Sequence, residues 1–458
     1  MAALMAPASH PTVPIRRLLI ANRGEIAVRI AATAHRMGIA TVGVHSAPDA
    51  DALHVRSVDV AVSLGGATPA ESYLRADAVL EAALATGCDA VHPGYGFLAE
   101  QPEAASMMID AGVRWVGPTP EQIALLGDKV AAKRAAVAAG VPTAGFVEVR
   151  AGQVPDDVGM PALVKAAAGG GGRGMRIVRS RGELSDAIVA ASREAKAAFG
   201  DGTVFIEPYL ERGRHVEVQI LGDEHGNVIH LGNRDCSVQR RNQKVIEEAP
   251  APFLGTDVRH QLHEGALALA RHVGYRNAGT VEFMVGADGT VNFLEVNTRL
   301  QVEHPVTEAV TGLDLVELQL LVASGAELPL RQEDVGLDGH AIEVRVVAED
   351  PGVGWLPSTG TLEHVDVPAT VRCDSGVVTG STVGADYDSL LAKVVAWAPD
   401  RGGAAATLAR ALHSSTVIGV RTNLAMLAAT REDVAFRDGV GSFVPVQLLP
   451  LLDDVRSG

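Results

Sequence analysis

TVEFMVGADGTVNFLEVNTRLQVEHP, residues 280–305, holds two strand-like runs, TVEFMV and TVNFLEV, around GADG. Asp-Gly between alternating apolar residues signals a hairpin, because a type I′ turn needs a positive φ at both central residues. With Asp288-Gly289 as a two-residue loop, Glu282 falls directly opposite Glu295. Like charges directly opposite on a sheet destabilise it, so the pair calls for a cation. Period-two alternation adds Asn297 and Arg299 to the face of Glu295. Oxygen donors of this kind suit Mg²⁺, which takes one or two carboxylates together with substrate phosphates. The stretch predicts a metal–nucleotide site with an arginine beside it. Taken alone, it also reads as an exposed hairpin whose polar residues face water.

Working outward, residues 15–128 alternate strand and helix: RRLLIAN, EIAVRIAATAHRMG, IATVGVH, DVAVSL, ESYLRADAVLEAALATG, DAVHPG, EQPEAASMMIDAG, RWVGP. The pattern predicts a doubly wound parallel α/β domain, with Gly38 as a helix C-cap. TPEQIALLGDKVAAKRAAVAAG (119–140) reads as one long helix with Lys129 and Lys133 on its surface periodicity. PALVKAAAGGGGRGMRIV is strand, loop, strand, with Lys165 at the end of the first strand and Gly169, Gly170, Gly171, Gly172 and Gly174 in the loop. Such a loop can close backbone amides on phosphates. It is not the P-loop, because the lysine precedes the glycines and a strand follows them.

NRDCSVQRRNQKVIEEAP (233–250) gathers Arg234, Arg240, Arg241 and Lys244. It reads either as a solvated basic loop or as an anion site for phosphate or bicarbonate. HAIEVRVVAED (340–350) is a strand with Arg345 opposite its apolar face, and about 355–458 mixes short strands with glycine turns before two helical patterns.

At 458 residues, 47% apolar and 21% charged, the chain reads as several globular domains. A net charge of −16 argues against a general binder of nucleic acid or anionic membrane. Cys88, Cys236 and Cys373 are few and far apart, which predicts a reduced, cytoplasmic protein without disulfides. The opening residues lack a secretory pattern, and no run of about 18 apolar residues predicts a membrane span. Only six of 39 basic residues are lysine, so each lysine in a polar motif stands out.

The motifs ANRGEIAVRI, HPGYGFLAE, GDKVAAK, KAAAGGGGRGM, RHVEVQ, RDCSVQRRNQK, GTVEFMV, FLEVNTRLQVEHPVTE, EVRVVAED and YDSLLAKV, in this order, resemble the biotin carboxylase signature set from about residue 15 onward. The resemblance implies an α/β and α+β architecture. A disordered tail (1–14) would precede a doubly wound N-terminal domain (15–130). An ATP-grasp region (131–328, lid about 144–209) and a C-terminal domain (329–458) would follow. It implies that MgATP (or MnATP) and bicarbonate carboxylate biotin on a carrier protein, as the first half-reaction of an acyl-CoA carboxylase. By the same resemblance Lys129, Lys165 and the glycine loop meet ATP phosphates, Glu207 and Leu210 form the adenine hinge, and His215 stands at the ribose side. Glu282, Glu295 and Asn297 match the metal set. Arg299, Gln301 and Val302 match the bicarbonate pocket, Glu303 the general base and Lys244 the phosphate-side cation. Arg345 matches the arginine that steadies the biotin enolate.

Some positions depart from the family pattern: Ala167-Ala168 where Ser-Gly is common, Asn242 for a histidine, Ala99 for a frequent serine, and a longer GVGWLPSTG. None of the six lysines follows a methionine, as the family's biotinylated lysine does, so biotin is expected on another chain. Carboxyltransferase subunits and a homodimer are the further partners implied, with Arg29 and Asp388 in motifs tied to dimer contacts or to the site. Two alternatives stay open: another ATP-grasp ligase, and a non-catalytic ATP-binding scaffold. RLQVEHP and EVRVVAED favour the biotin enzyme over the first.

Overall fold

The apolar run RLLI forms strand β1 (Arg17–Ile20) at the centre of a five-stranded sheet, flanked by β2 (Ala40–His45), β3 (Val60–Ser63), β4 (Ala90–His92) and β5 (Arg114–Trp115). The order is β3-β2-β1-β4-β5, and the pairings are parallel, as the alternating pattern predicts. Both faces are covered, which is why these strands carry apolar residues without strict alternation. The computed structural model describes residues 12–149, 154–155, 158–167, 175–211, 213–240 and 242–429. The expected tail therefore lies almost wholly outside the described residues.

The segment 119–140 is not one helix. Helix Pro120–Gly127 ends, and a second, Lys129–Ala138, starts after Asp128, whose side chain accepts from the amides of Val130 (2.9 Å) and Ala131 (2.8 Å). An aspartate after a glycine outcompetes helix continuation, because it satisfies amides that a new helix start leaves open. Lys133 is also not on the surface: it is 0% exposed.

Strands β6 (Val147–Val149), β7 (Ala162–Ala166), β8 (Arg176–Val178) and β9 (Val204–Pro208) make a small antiparallel sheet in the order β6-β9-β7-β8. Helix Leu184–Phe199 supplies part of its core. The third sheet has eight strands. Its first five are β10 (Gly213–Gly222), β11 (Val228–Arg240), β12 (Gln243–Ala249), β13 (Asn277–Gly286) and β14 (Val291–Asn297). Then β15 (His340–Val347), Leu390–Ala398 and Arg372–Ser375 extend it beyond β12, so it runs continuously across residue 328. The basic segment 233–250 is therefore mostly strand, not a loop.

The 280–305 hairpin forms with a different turn. Only Gly289 has a positive φ (+85°); its amide donates to Gly286 O (3.0 Å), and Gly286 N donates to Thr290 O (2.8 Å). The loop is Ala287-Asp288-Gly289, a three-residue connection with glycine in the left-handed position. It shifts the outer register so that Phe283 faces Phe293. A one-residue slip would flip every side chain to the other face. An irregularity at Leu294 shifts the register back, and Glu282 faces Glu295 as predicted.

Candidate active site

Between the small sheet and the large one lies a cavity of about 350 Å³. Lys165 and Glu207 line it from the small sheet, and His215, Lys244, Glu282, Glu295, Asn297 and Arg345 from the large one. Lys129, Leu210, Arg299, Gln301 and Val302 complete the lining from segments between the strands. Segments as far apart as 129 and 345 thus converge on one space. Gly169, Gly170, Gly171 and Gly172, with Ala168, Arg173, Gly174 and Arg241, lie outside the described residues. Glu303 is beneath the cavity floor, at 0% exposure.

Register explains the convergence. Glu295, Glu282, Glu217 and Arg234 sit side by side on β14, β13, β10 and β11. Three adjacent carboxylates need cations: Lys129 pairs with Glu295, and Lys244 and Arg234 serve the other two. Lys244 Nζ donates to Glu217 Oε2 (2.6 Å), Glu282 Oε1 (2.9 Å) and Glu303 Oε1 (2.6 Å). Arg234, fully buried, donates to Glu217 Oε1 (2.5 Å), Gln219 Oε1 (2.8 Å), Thr307 Oγ1 (2.8 Å) and Thr280 Oγ1 (3.2 Å). Arg234 is thus committed to the protein, and Arg240 pairs with Glu349 (3.0 Å) beneath Trp355. Of the basic residues of this segment that are described, Lys244 alone lines the cavity.

Burial depresses the Lys244 pKa, but Glu217, Glu282 and Glu303 outweigh it and lift it well above the ordinary value. Burial raises the Glu303 carboxyl, yet Lys244, Arg345 and Arg234 pull it well below the usual carboxylate range. Glu282 is likewise held low, against burial, by Lys244 and His215. Glu303 Oε2 accepts from Arg345 (2.9 Å). Gln239 Nε2 donates to His215 Nδ1 (2.7 Å), which leaves the imidazole Nε2–H to donate to Glu282 Oε2 (2.8 Å). Arg299 pairs with Glu100 (3.0 Å) and donates to Gln301 Oε1 (2.9 Å).

On the opposite wall Glu207 is clamped between Lys165 (2.6 Å) and Lys133 (2.8 Å). Burial alone would raise its pKa; the two lysines bring it down to about 2. Lys129 pairs with Glu295. Burial and the neighbouring Lys165 push its pKa down to about 8.

Two carboxylates and an amide oxygen facing one cavity make a hard-oxygen donor set. Glu282 and Glu295 are each contacted by a lysine ammonium, so a cation already fits beside each. Glu282, Glu295 and Asn297 therefore suit Mg²⁺ or Mn²⁺.

Sequence reasoning named His215, named Arg234 only as part of an anion site, and missed Glu217, Gln219 and Glu247. Alternation on RHVEVQ puts Glu217 and Gln219 on the face of His215, so these two were within reach. Register shifts between Asp235 and Gln239 break the parity between β11 and β12, and nothing in the sequence signals them. Asn242, where the family pattern has histidine, takes a left-handed backbone (φ +65°) that asparagine adopts more readily than most residues.

Three family models match: the biotin carboxylase N-terminal domain over residues 14–123, the carbamoyl-phosphate synthase L chain ATP binding domain over 128–331, and the biotin carboxylase C-terminal domain over 343–443. The chain belongs to the biotin carboxylase family. It is accordingly an enzyme of the ligase class with an ATP-binding domain. A biotin carboxylase of Nostoc sp. is 47% identical over 92% of this chain and 96% of its own. The mitochondrial methylcrotonoyl-CoA carboxylase subunit alpha of Oryza sativa is 48% identical over 93% of this chain, which spans only 59% of that relative. The biotin carboxylase domain dimer of the Hydrogenobacter thermophilus 2-oxoglutarate carboxylase, solved with MgADP, ADP and bicarbonate, superposes with a TM-score of 0.91. It is 40% identical, over 96% of this chain and 98% of that one. The three-part architecture and the ATP-grasp assignment drawn from the motifs hold. Arg29 is engaged within the chain by Glu308 (2.8 Å) and Asp314 (3.0 Å).

Proposed function

We propose that the protein carboxylates the ureido nitrogen of biotin with ATP and bicarbonate, through carboxyphosphate. The observation that carries this reading is Glu303, buried between Lys244 and Arg345, both of which line a cavity whose walls also hold Lys129, Lys165, Glu282 and Glu295. Arg299, Gln301 and the Val302 backbone hold bicarbonate, and Glu303 takes its proton. The resulting carbonate oxygen attacks the γ-phosphorus and ADP leaves. Lys129, Lys165 and Lys244 take up charge on the phosphates. Magnesium or manganese on Glu282, Glu295 and Asn297 would supply further neutralisation of the phosphate oxygens. The lysine–arginine clamp holds Glu303 anionic but makes it a weak base. As substrate charge draws Lys244 away, its basicity rises. Carboxyphosphate is labile in water, so closure of the glycine loop should precede the chemistry. It then breaks down beside biotin to CO₂ and phosphate; the phosphate takes the N1′ proton, Arg345 stabilises the charge on the ureido oxygen, and N1′ adds to CO₂.

Glu207 and Leu210 would meet the adenine and His215 the ribose. Since the Glu207 carboxylate is taken by two lysines, the backbone of this strand is the part free for the base.

None of the six lysines in these 458 residues follows a methionine, so the biotinyl group comes from a carrier outside this stretch. Mass spectrometry finding biotin bound covalently within it would remove that part of the proposal. Relatives named as subunits of methylcrotonoyl-CoA carboxylases support partner subunits and an acyl-CoA acceptor, carboxyltransferase subunits being the partners the motif resemblance implies, and the related domain dimer supports a homodimer. We place the enzyme in the cytoplasm on its unpaired thiols. Among the described residues no helix is long and apolar enough to cross a membrane.

The test is ATP hydrolysis with bicarbonate, with and without free biotin. Stimulation by biotin is expected; folded protein that hydrolyses ATP without it would count against the reading.

A further inference from the structure

Behind Arg345 the sheet buries two carboxyl groups that the chemistry above does not use. Glu247 on β12 lies directly opposite Glu343 on β15, and both are 0% exposed. Side chains so paired have Cβ atoms about 5 Å apart. Arg345, two residues beyond Glu343 on the same face, donates to Glu247 Oε1 (2.6 Å) and to Glu303 Oε2 (2.9 Å). That leaves three buried oxygens without a hydrogen-bond partner among the described residues: Glu247 Oε2 and both oxygens of Glu343.

The charges around the pair do not neutralise two anions. Glu247 faces Arg345, Lys244, Glu303 and Cys236; Glu343 faces Lys393, Arg345, Glu247 and Asp374. Lys244 is shared by Glu217, Glu282 and Glu303. Lys393 is held by Glu25 (3.1 Å) and the Val302 carbonyl (2.9 Å). Arg345 already serves Glu303. One proton joins the pair and engages two of the three oxygens, because a neutral carboxyl donates one hydrogen bond and an anion accepts it.

We propose that Glu343 is a protonated carboxylic acid donating to Glu247 Oε2, which keeps Glu247 anionic and aims Arg345 at the biotin site. Both glutamates are then positioning residues, a role that rests on Arg345 acting as proposed above. Burial is the largest influence on Glu343 and, with the Glu247 charge, carries its pKa well above the ordinary value despite Lys393. Burial raises the Glu247 carboxyl to about 7 against the pull of Arg345. As pH falls through that range Glu247 takes up a proton and Arg345 loses its anchor. Biotin-stimulated turnover should therefore have an acid limb near neutrality.

Three variants and one spectrum test this. Glu343→Gln keeps a neutral donor and should retain both the acid limb and turnover within about threefold. Glu343→Met removes the donor, and should move the acid limb upward by about one pH unit. Glu247→Gln should lower biotin-stimulated kcat by about tenfold or more, and biotin-independent hydrolysis by less, because its effect passes through Arg345. Infrared spectra of the unmodified protein should contain a protonated-carboxyl carbonyl band that Glu343→Gln removes. The proposal fails if Glu343→Gln is as damaging as Glu247→Gln, if Glu343→Met leaves the limb in place, or if the band is absent. The infrared readout needs no turnover and no folded Met variant, so it separates failure here from failure of the carboxylation reading.

Discussion

At the scale of single residues, buried charge organises this enzyme. Glu303 has no exposure, yet Lys244 and Arg345 keep it ionised. Glu303→Gln keeps the shape and removes the base. Bicarbonate-dependent ATP hydrolysis should fall about 10²- to 10⁴-fold, with a circular-dichroism melt near that of the unmodified protein; full activity would refute the base assignment. Glu207 makes a pH prediction. Its folded pKa, about 2, lies below the ordinary 4.5. A depressed carboxyl contributes stability above its unfolded pKa and loses it as pH falls toward the folded one. Between pH 6 and pH 3 the unmodified protein should therefore lose about 2 kcal/mol more than Glu207→Gln in urea titrations. Equal losses would mean that the two lysines do not grip it.

At the scale of elements, the 280–305 hairpin brings Glu282 opposite Glu295, the pair proposed to hold the metal, only because two deviations cancel. The three-residue loop displaces the register, and the irregularity at Leu294 restores it. The pairing Phe283–Phe293, edge to face at 6.3 Å, belongs to the displaced segment. Gly289 at φ +85° sets the loop. An added Cβ there meets Val258 Cγ2 at 3.4 Å, an ordinary contact, so the cost is conformational. Gly289→Ala should destabilise by about 1–2 kcal/mol, read as a lowered urea midpoint with an unchanged slope. The Glu282–Glu295 facing was legible from parity; the turn type was not, because a two-residue and a three-residue loop with a compensating bulge give the same inner pairing. Asp128 is similar. Helical periodicity continues through it, while its capping bonds break the helix and turn Lys129 into the cavity.

At the scale of the molecule, the eight-stranded sheet ties residues on both sides of 328 into one surface. The domain division at that point is a division of sequence, which the sheet does not follow. Lys393 joins the parts: it is 0% exposed, with Nζ at 3.1 Å from Glu25 of the N-terminal helix, 3.8 Å from Asp374 and 2.9 Å from the Val302 carbonyl. Lys393→Met would strand the buried Glu25 carboxylate, while Asp374 keeps Arg372 (2.7 Å), and should cost about 3 kcal/mol in urea unfolding. A loss under 1 kcal/mol would mean that water or protonation compensates. The amino-acid sequence alone determined the doubly wound first domain, the hairpin, the facing glutamates and, through ordered motifs, the family. These are properties of local periodicity and of short, specific residue strings. Only the tertiary structure decided that Lys133 is buried, that Arg234 serves carboxylates rather than substrate, and that Glu247 and Glu343 meet behind Arg345. The physical reason is that the first depends on how the helix Lys129–Ala138 packs and the other two on strand register across a sheet. Register there is shifted by irregularities that leave no mark on residue spacing. The opening hairpin thus supplies its own facing carboxylates, while the cations that neutralise them arrive from a helix and a strand distant in sequence, through Lys129 and Lys244.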